Sequence, residues 1–441
     1  MADTLLDELF DWLRIPSIST GGGDPADLER AAEWAATKVR AAGGEAELVR
    51  PLTGGNPVVV GELRAARPDA PTVLIYGHYD VQGIGDADLW KSPPFEPEIR
   101  DGRIYARGAA DDKGNFLPLL HAACELAAEG ALPVHVRVAV EGEEEAGGAS
   151  ISAWLAADER GADAAIVYDS GMVSRDLPAI CIGLRGVVLL TFDVRAAERD
   201  LHSGIYGGSA LNALHALHQA LGAVLPGPDG RVPKPLRAGI APVADVERAT
   251  WDALPSGQET LAAAGARPAY PDAAAEYIER NGADASLDVD QIVAGDARTV
   301  IPAVARATVS IRLAPGQDVD AMAAELERLL REALPAGAEL DIVSSHLARP
   351  ALFPPDSPAM TLAAAALERA CGVAPAFVRS GGAIPFVADL AAKDIPAIVT
   401  GFTLPDDAFH APNESLWADG LELGHRAARE LLLGFADLPR R

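Results

Sequence analysis

The segment 134–145, VHVRVAVEGEEE, constrains the fold more than any other stretch of the chain. Its first half alternates valine with other residues, which is the pattern of a buried β-strand. Glutamates at the end of a buried strand repel one another unless a positive charge lies among them. The segment therefore predicts a strand that ends at a cation, unless the glutamates form a solvated acidic loop. The glutamates are Glu141, Glu143, Glu144 and Glu145.

Two other apolar runs also stop at polar residues, at the point where a buried strand would end. The run 72–76 is followed by His78 and Asp80, and the run 164–168 is followed by Asp169. Helical segments lie between these runs, and such alternation is typical of a mainly parallel α/β sheet. Ligands bind at the carboxyl edge of sheets of this kind. We therefore expect these polar side chains to converge at one edge.

The residues expected at this edge are of metal-ligand type. Asp111 precedes a predicted helix, and His410 lies in a loop where the α/β pattern resumes. With His78, Asp80, Asp112, Glu144, Glu145 and Asp169 they give two imidazoles and several carboxylates, the ligand set of a dinuclear zinc, manganese or cobalt centre. Calcium or magnesium would not need the histidines. A glycosidase would leave both histidines without a role, and an inactive metal-binding protein is a further alternative.

The pattern of elements changes after Gly186, which predicts a second domain inserted into the first. A few strands and two long helices follow, and they suggest a compact βαββαβ-like α+β layer. The α/β pattern then resumes. We therefore expect a catalytic domain formed by residues 1–186 and 348–441, and an inserted domain formed by residues 187–347.

Charge and composition narrow the range of partners and compartments. The formal net charge of −27 repels nucleic-acid phosphates, so nucleic acid is not an expected partner. The acidic N-terminal segment lacks the basic start of a signal peptide, and no apolar run approaches the roughly 20 residues of a membrane helix. The three cysteines lie far apart, which favours buried thiols over a disulfide framework. We expect a cytoplasmic protein that does not bind membranes.

Nine short motifs, taken in order, resemble one family of dinuclear zinc exopeptidases. The family includes carnosine dipeptidase, glutamate carboxypeptidase, aminoacylase and succinyl-diaminopimelate desuccinylase, and the chain looks most similar to the cytosolic non-specific dipeptidase branch. The resemblance implies a zinc-exopeptidase catalytic domain with an inserted lid domain that forms a homodimer. The motifs are IPSIS (15–19), GHYDV (77–81), ARGAADDKG (106–114), EGEEEAGG (141–148), DLHSG (200–204), TVIP (299–302), SIRLAP (310–315), SGGAIP (380–385) and HAPNE (410–414).

The resemblance implies five ligands for two divalent ions, with zinc expected ahead of manganese or cobalt. Asp111 would bridge the two ions. His78 and Asp169 would complete one metal site, and Glu145 and His410 the other. The resemblance also implies a cis peptide bond after the bridging aspartate.

The resemblance further implies the residues that act on the substrate. Glu144 would be the general base rather than a metal ligand, and Asp80 would orient His78. His202 in the inserted domain would reach the partner subunit's metal site and stabilise the oxyanion. Arg312 and Thr299 would anchor the terminal carboxylate of the substrate.

The function that follows is metal-dependent hydrolysis of dipeptides or short peptides with a free C-terminal carboxylate. A water that bridges the two metals would give its proton to Glu144 and attack the amide carbonyl, and Glu144 would then protonate the departing amine. The alternative is an N-acyl-amino-acid deacylase or desuccinylase that uses the same centre. Ala383 stands where the dipeptidase branch usually has serine, so a hydroxyl that could contact the substrate carboxylate is missing.

Overall fold

The computed structural model describes residues 2–382 and 384–440. Within these residues the chain forms a nine-stranded sheet, a four-stranded sheet and two small sheets of three and two strands. The fold class predicted from the sequence is confirmed, because a large α/β unit carries a smaller α+β layer between two of its strands.

The strands, in chain order, are β1 (Glu45–Val49), β2 (Val58–Leu63), β3 (Thr72–His78), β4 (Glu98–Arg100), β5 (Arg103–Tyr105), β6 (His135–Glu141), β7 (Ala164–Tyr168), β8 (Ala179–Leu184), β9 (Gly186–Arg195), β10 (Leu201–His202), β11 (Ser286–Ala294), β12 (Val300–Ile301), β13 (Val304–Leu313), β14 (Glu339–Ala348), β15 (Ala351–Leu352), β16 (Ala376–Ser380), β17 (Ala397–Thr400) and β18 (Ser415–Trp417).

The helices, in chain order, are α1 (Ala2–Leu13), α2 (Pro25–Ala41), α3 (Lys113–Ala128), α4 (Ala149–Ala157), α5 (Ser203–Tyr206), α6 (Ala213–Gly222), α7 (Asp245–Arg248), α8 (Gly257–Ala263), α9 (Tyr277–Gly282), α10 (Val319–Glu332), α11 (Pro358–Cys371), α12 (Pro385–Ala392) and α13 (Ala418–Gly434). No helix in the described part of the chain is both long and apolar enough to span a lipid bilayer.

The large sheet is parallel at its centre and antiparallel towards both ends. Strands β6, β3, β7 and β17 lie side by side in that order, and all their pairings are parallel. Strand β2 pairs antiparallel with β6 and β1, and β8 pairs antiparallel with β17 and β15. Because the central strands run in one direction, their carboxyl ends meet at a single edge.

Helix α3 packs closely against the end of β3 at this edge. Phe116 on α3 is fully buried. A Cβ atom added to Gly77 would lie 2.2 Å from Cγ of Phe116, so the strand can approach the ring only because residue 77 is glycine. This close packing places His78, the last residue of β3, next to the start of α3.

The inserted layer is an antiparallel sheet with its own hydrophobic core. Its strand order is β11-β13-β9-β14, and helices α6 and α10 pack on one face. Burial alternates along β9 and β13, as expected for a sheet covered on one side only. The core of this layer includes Phe192, Ile311 and Leu326 and is separate from the core of the large sheet. The chain order β9, α6, β11, β13, α10, β14 is the βαββαβ order predicted from the sequence.

Candidate metal centre

The carboxyl ends of three neighbouring strands supply most of the candidate ligands. His78 ends β3, Glu144 and Glu145 follow β6, and Asp169 follows β7 directly. These strands are adjacent in the order β6-β3-β7. Residues that are far apart in the sequence therefore reach one edge of the sheet, as the strand pattern predicted.

Asp111 lies between two groups of ligand atoms. His78, Asp111 and Asp169 form one group and Asp111, Glu145 and His410 form the other, each with one ligand atom per residue within 4.8 Å of the rest. Oδ1 of Asp111 lies 3.0 Å from Nε2 of His78, and Oδ2 lies 3.0 Å from Nε2 of His410. Nε2 of His410 is also 3.2 Å from Oε2 of Glu145. This geometry suits a carboxylate shared by two cations.

Asp80 links His78 to the turn that carries Glu144 and Glu145. Nδ1 of His78 lies 3.0 Å from the backbone oxygen of Asp80 and 3.4 Å from its Oδ1, which leaves Nε2 directed at Asp111. The Asp80 carboxylate accepts hydrogen bonds from the backbone N–H groups of Glu144 (3.3 Å) and Glu145 (3.2 Å). One side chain therefore positions both a candidate ligand and the candidate base.

Two glutamates of the acidic run, Glu141 and Glu143, hold other parts of the fold, whereas Glu144 and Glu145 lie at the candidate site. Glu141 is buried within β6 and accepts a hydrogen bond of 2.6 Å from the Tyr76 hydroxyl. Glu143 accepts hydrogen bonds from the backbone N–H groups of Asn56 and Ser150 at 2.6 and 2.9 Å. The solvated acidic loop, considered as an alternative, is thus not what the fold forms.

Glu414 supports the loop that carries Asp111, and sequence reasoning assigned it no role. Its carboxylate is fully buried and accepts hydrogen bonds from the N–H groups of Gly108 (3.0 Å), Ala110 (2.8 Å) and Asp111 (3.0 Å). It also accepts a hydrogen bond of 2.6 Å from Nη1 of Arg107. The only sequence signal was its place in the HAPNE motif. The peptide bond between Asp111 and Asp112 is cis, as the resemblance implied.

The electrostatics of the cluster favour bound cations. Burial raises the pKa of Glu144, the charge of His78 lowers it, and the negative charges of Asp111 and Glu145 raise it, so that the pKa reaches about 7. Burial and the charge of Glu144 likewise raise the pKa of Asp169. Oε1 of Glu145 is buried and has no hydrogen-bond partner among the described residues. Positive ions would satisfy this oxygen and offset the repulsion, so the donor set fits a pair of divalent metals.

A cavity of about 370 Å³ opens beside these ligands. Carboxylate and small polar groups line one part of it, and apolar side chains line the rest. Such a mixture can orient a small polar substrate and still accept an apolar side chain. The lining residues include Asp111, Asn115, Asp169, Ser170, Met172, Ser380, Thr403, Leu404 and Phe409.

A third group of ligand-type residues lies elsewhere, on α3 and α13, and is an ion-pair network. His121, Glu125 and His425 come within 4.8 Å of one another. However, Nη1 of Arg429 already lies 2.5 Å from Oε2 of Glu125. The guanidinium of Arg429 already compensates the charge of Glu125, so this group does not need a metal ion.

The structure separates the residues predicted to bind the substrate. His202 on β10 is exposed, and it lies beside Thr299, whose backbone oxygen accepts hydrogen bonds from the N–H (3.0 Å) and Oγ (2.8 Å) of Ser203. Arg312 lies on β13, where it pairs with Val187 of β9. Within this chain, His202 and Thr299 are therefore together, whereas neither belongs to the ligand groups around Asp111. Ala383 lies outside the described residues.

Sequence comparison decides the family. The profile described as "Peptidase family M20/M25/M40" matches residues 74–434, which include every candidate metal ligand. The chain belongs to peptidase family M20/M25/M40. Cysteinylglycine-S-conjugate dipeptidase of Corynebacterium striatum is 28% identical over 416 residues, which cover 91% of this chain and 88% of the relative. Beta-Ala-His dipeptidase of Homo sapiens is 27% identical over 376 residues, covering 82% of this chain and 74% of the relative.

Solved structures of the M20 peptidase family share the whole fold. Human carnosine dipeptidase 1 matches with a TM-score of 0.76 at 25% identity, covering 99% of this chain and 97% of that chain. An M20 family metallo-carboxypeptidase from Sulfolobus solfataricus matches with a TM-score of 0.85 at 25% identity, covering 98% and 99%. The family and the enzyme class predicted from the motifs are confirmed, and the protein is an M20 metallopeptidase.

Proposed function

We propose that this M20 peptidase hydrolyses the amide bond of dipeptides or short peptides that carry a free C-terminal carboxylate. The observation that carries the proposal is the position of Asp111, whose two oxygens face two separate groups of ligand atoms. The names of the similar proteins, a cysteinylglycine-S-conjugate dipeptidase and a Beta-Ala-His dipeptidase, support dipeptides as the substrate class. They do not favour the deacylase alternative.

The donor set indicates how two metal ions would be held. His78 and Asp169 would bind one ion and Glu145 and His410 the other, with Asp111 between them. When bound, the ions would polarise the substrate carbonyl and lower the pKa of water. Zinc suits two imidazoles combined with carboxylates, and manganese and cobalt accept the same donors. Metal analysis of the purified enzyme would distinguish the three.

Glu144 is the proposed general base and acid. Burial raises its pKa above the ordinary value of a glutamate, and a carboxyl with a raised pKa can both take and release a proton nearer neutral pH. It would remove a proton from the attacking water and deliver it to the amine that leaves. Asp80 would hold Glu144 in place through its backbone N–H group.

The test is the Glu144→Gln substitution, with Glu159→Gln at an exposed glutamate as the control. We expect Glu144→Gln to keep its metal content while kcat for a Cys-Gly dipeptide falls about 10²- to 10⁴-fold, because general acid–base catalysis contributes that much. The control should match the wild type.

A panel of dipeptides, N-acetyl amino acids and N-succinyl amino acids tests the substrate class in the same assay. Turnover of the acylated amino acids alone would show that dipeptides are not the substrates.

We also propose that the active unit is a homodimer formed through the inserted layer. Edge strand β14 carries Ile342, Val343 and Leu347, which are 36%, 47% and 38% exposed. Its outer edge has no neighbouring strand among the described residues, and such an edge readily pairs with a second copy. Helix α5, which follows His202 directly, exposes 72% of Ile205. Both surfaces would be covered if His202 and α5 entered the partner subunit's site.

Mixing two inactive variants tests the shared site. If each site uses the partner's His202, then mixed His202→Ala and Glu144→Gln subunits should regain up to about a quarter of the activity, since random pairing makes half of the dimers mixed and each mixed dimer has one intact site. Val343→Glu should dissociate the dimer in light scattering. If the mixture stays inactive after subunit exchange has been verified, the shared site is contradicted.

The cytoplasmic location stays a prediction, and the free cysteines agree with a reducing compartment.

A further inference from the structure

The segment 15–19, IPSIS, lies along the loop that follows β3 at the candidate site. Ile18 and Val81 form a parallel bridge between the segment and the loop. The N–H group of Val81 donates a hydrogen bond of 2.9 Å to the backbone oxygen of Ser17, and the N–H group of Ser19 donates one of 3.2 Å to the oxygen of Val81. The chain that follows α1 is therefore bound to the backbone of the candidate site.

The side chain of Ser19 reaches the carboxylate of Asp80. Its Oγ donates a hydrogen bond of 2.5 Å to Oδ2 of Asp80, a length typical of a hydroxyl bonded to an ionised carboxylate. Asp80 is fully buried, and Ser19 is half-buried. The hydroxyl of Ser17 donates instead to the backbone oxygen of Tyr79, at 2.6 Å. Of the two serines in the segment, Ser19 is therefore the one that contacts a side chain of the site.

The hydrogen bond from Ser19 helps to set the plane of the Asp80 carboxylate. Rotation about the last side-chain bond of an aspartate is broad in energy, so the partners of the two oxygens decide the angle. Oδ1 accepts a hydrogen bond of 3.3 Å from the N–H of Glu144, and Oδ2 accepts one of 3.2 Å from the N–H of Glu145. Both are longer than the hydrogen bond from Ser19. Without the hydroxyl, the carboxylate could turn away from Glu144.

The core of the protein holds the segment from which Ser19 extends. Lys113, at the start of α3, is fully buried, and its Nζ donates hydrogen bonds to the backbone oxygens of Trp12 (3.1 Å) and Ile15 (2.8 Å). These carbonyls lie at the end of α1, where the partial negative charge of a helix favours a cation. Trp12 and Leu13 are fully buried in the core of the large sheet. Helices α1 and α3 thus fix the position of Ser19.

We propose that Ser19 is a positioning residue for the reaction, and that it acts through Asp80 without contacting the substrate. It holds the Asp80 carboxylate at the angle that keeps the turn of Glu144 in place. The ring of His78 depends less on this angle, because Nδ1 of His78 also lies 3.0 Å from the backbone oxygen of Asp80. The inference rests on the proposed function in one respect, namely that Glu144 acts on the reacting atoms.

The test compares Ser19→Ala with Ser19→Thr on the metal-loaded enzyme, with a Cys-Gly dipeptide as substrate. Ser19→Ala should lower kcat about 10- to 100-fold and keep KM within about threefold of wild type, because it loses a hydrogen bond to a charged group and misplaces Glu144 while the substrate contacts stay. Ser19→Thr keeps the hydroxyl and should recover most of kcat. Metal affinity, measured by competition with a chelator, should stay within about threefold of wild type, because the backbone oxygen of Asp80 still orients His78.

Thr20→Val is the matched control, because it removes a hydroxyl from the next residue of the same segment. Oγ1 of Thr20 accepts a hydrogen bond of 3.0 Å from the N–H of Gly83, and the residue is exposed, so water can replace the lost acceptor. Its kcat should match the wild type. A double-mutant cycle shows whether Ser19 acts through Asp80. In an Asp80→Ala background, Ser19→Ala should lower kcat by less than about threefold, because no carboxylate is left to hold.

The outcomes separate this inference from the proposed function. If Ser19→Ala keeps the kcat of the wild type, or if Ser19→Thr is as slow as Ser19→Ala, the inference is wrong, even when Glu144→Gln is inactive as expected. A fall in metal affinity that accounts for the whole loss of kcat would also overturn it. If N-acetyl amino acids are hydrolysed and dipeptides are not, the proposed substrate class fails. The same variants can then be compared on an N-acetyl amino acid, and a loss that Ser19→Thr recovers would still support the role of Ser19.

Discussion

Replacing Glu414 with glutamine tests whether this buried carboxylate holds the loop that carries Asp111, the proposed bridging ligand. In the wild type, Oε1 of Glu414 accepts hydrogen bonds from the N–H groups of Ala110 and Asp111, and Oε2 accepts them from Gly108 and Arg107. Glutamine has the same size, but one of its two terminal atoms is an amide nitrogen that only donates. Whichever way the amide turns, two of the four hydrogen bonds are lost and a donor faces another donor.

The loss should be large because Glu414 and Arg107 are both buried, at 0% and 1% side-chain exposure. Removing one partner of a buried ion pair costs about 3–5 kcal/mol, since the other charge is left without compensation. The hydrogen bond to the N–H of Asp111 also fixes the proposed bridging ligand. We therefore expect metal affinity to fall about 10- to 100-fold, as it does when residues that support metal ligands are changed.

Urea denaturation of the metal-loaded protein, followed by circular dichroism, would measure the change in the free energy of unfolding. Competition with a chelator would measure metal affinity. Asp193→Asn is the control, because it breaks the exposed pair with Arg306 and should cost at most about 1 kcal/mol. If Glu414→Gln matched this control in both measurements, the reasoning about the buried pair would be refuted.

Two further substitutions test the packing and the charge of the fold. Gly77→Ala should destabilise the protein by about 1–3 kcal/mol, because the new methyl group meets the ring of Phe116, and Phe116→Leu in the same chain should recover part of the loss in thermal denaturation. Asp158 forms a two-pronged pair with Arg137 (2.8 and 2.7 Å). Burial raises the pKa of Asp158, but the hydrogen bonds and charge of Arg137 outweigh burial and hold the pKa below its ordinary 3.8. A lowered carboxyl pKa stabilises the fold above pH 3.8 and loses that effect as pH falls through the folded value. Asp158→Asn should therefore destabilise the protein at pH 7, and the difference from wild type should shrink below about pH 3.8; a pH-independent difference in urea denaturation would contradict the assignment.

Much of the fold followed from local pattern. The runs 72–76 and 164–168 were predicted as strands because they are short and almost entirely apolar, and both are strands in the structure. Alternating valines likewise placed β6 correctly, although the strand continues through Glu141. The pattern could not show that the sheet turns antiparallel at its ends, since strand direction depends on how the connections cross the sheet.

The supporting residues could not be predicted in the same way. Arg107 and Glu414 are 307 positions apart, and no local periodicity marks either as buried. Sequence reasoning gave Glu143 no role, yet its carboxylate accepts hydrogen bonds from the backbone N–H groups of Asn56 and Ser150. Each of these roles depends on which segment packs against which, a property of the folded chain.

The sequence by itself determined where the strands of the large sheet end and which ligand-type side chains stand at those ends, because period and polarity are local properties. Only the tertiary structure decided that β6, β3 and β7 are neighbours, so that His78, Glu145 and Asp169 meet around Asp111. It also decided that Glu414 is buried against Arg107. Burial and charge compensation arise from contacts between distant segments, and a linear sequence does not state those contacts.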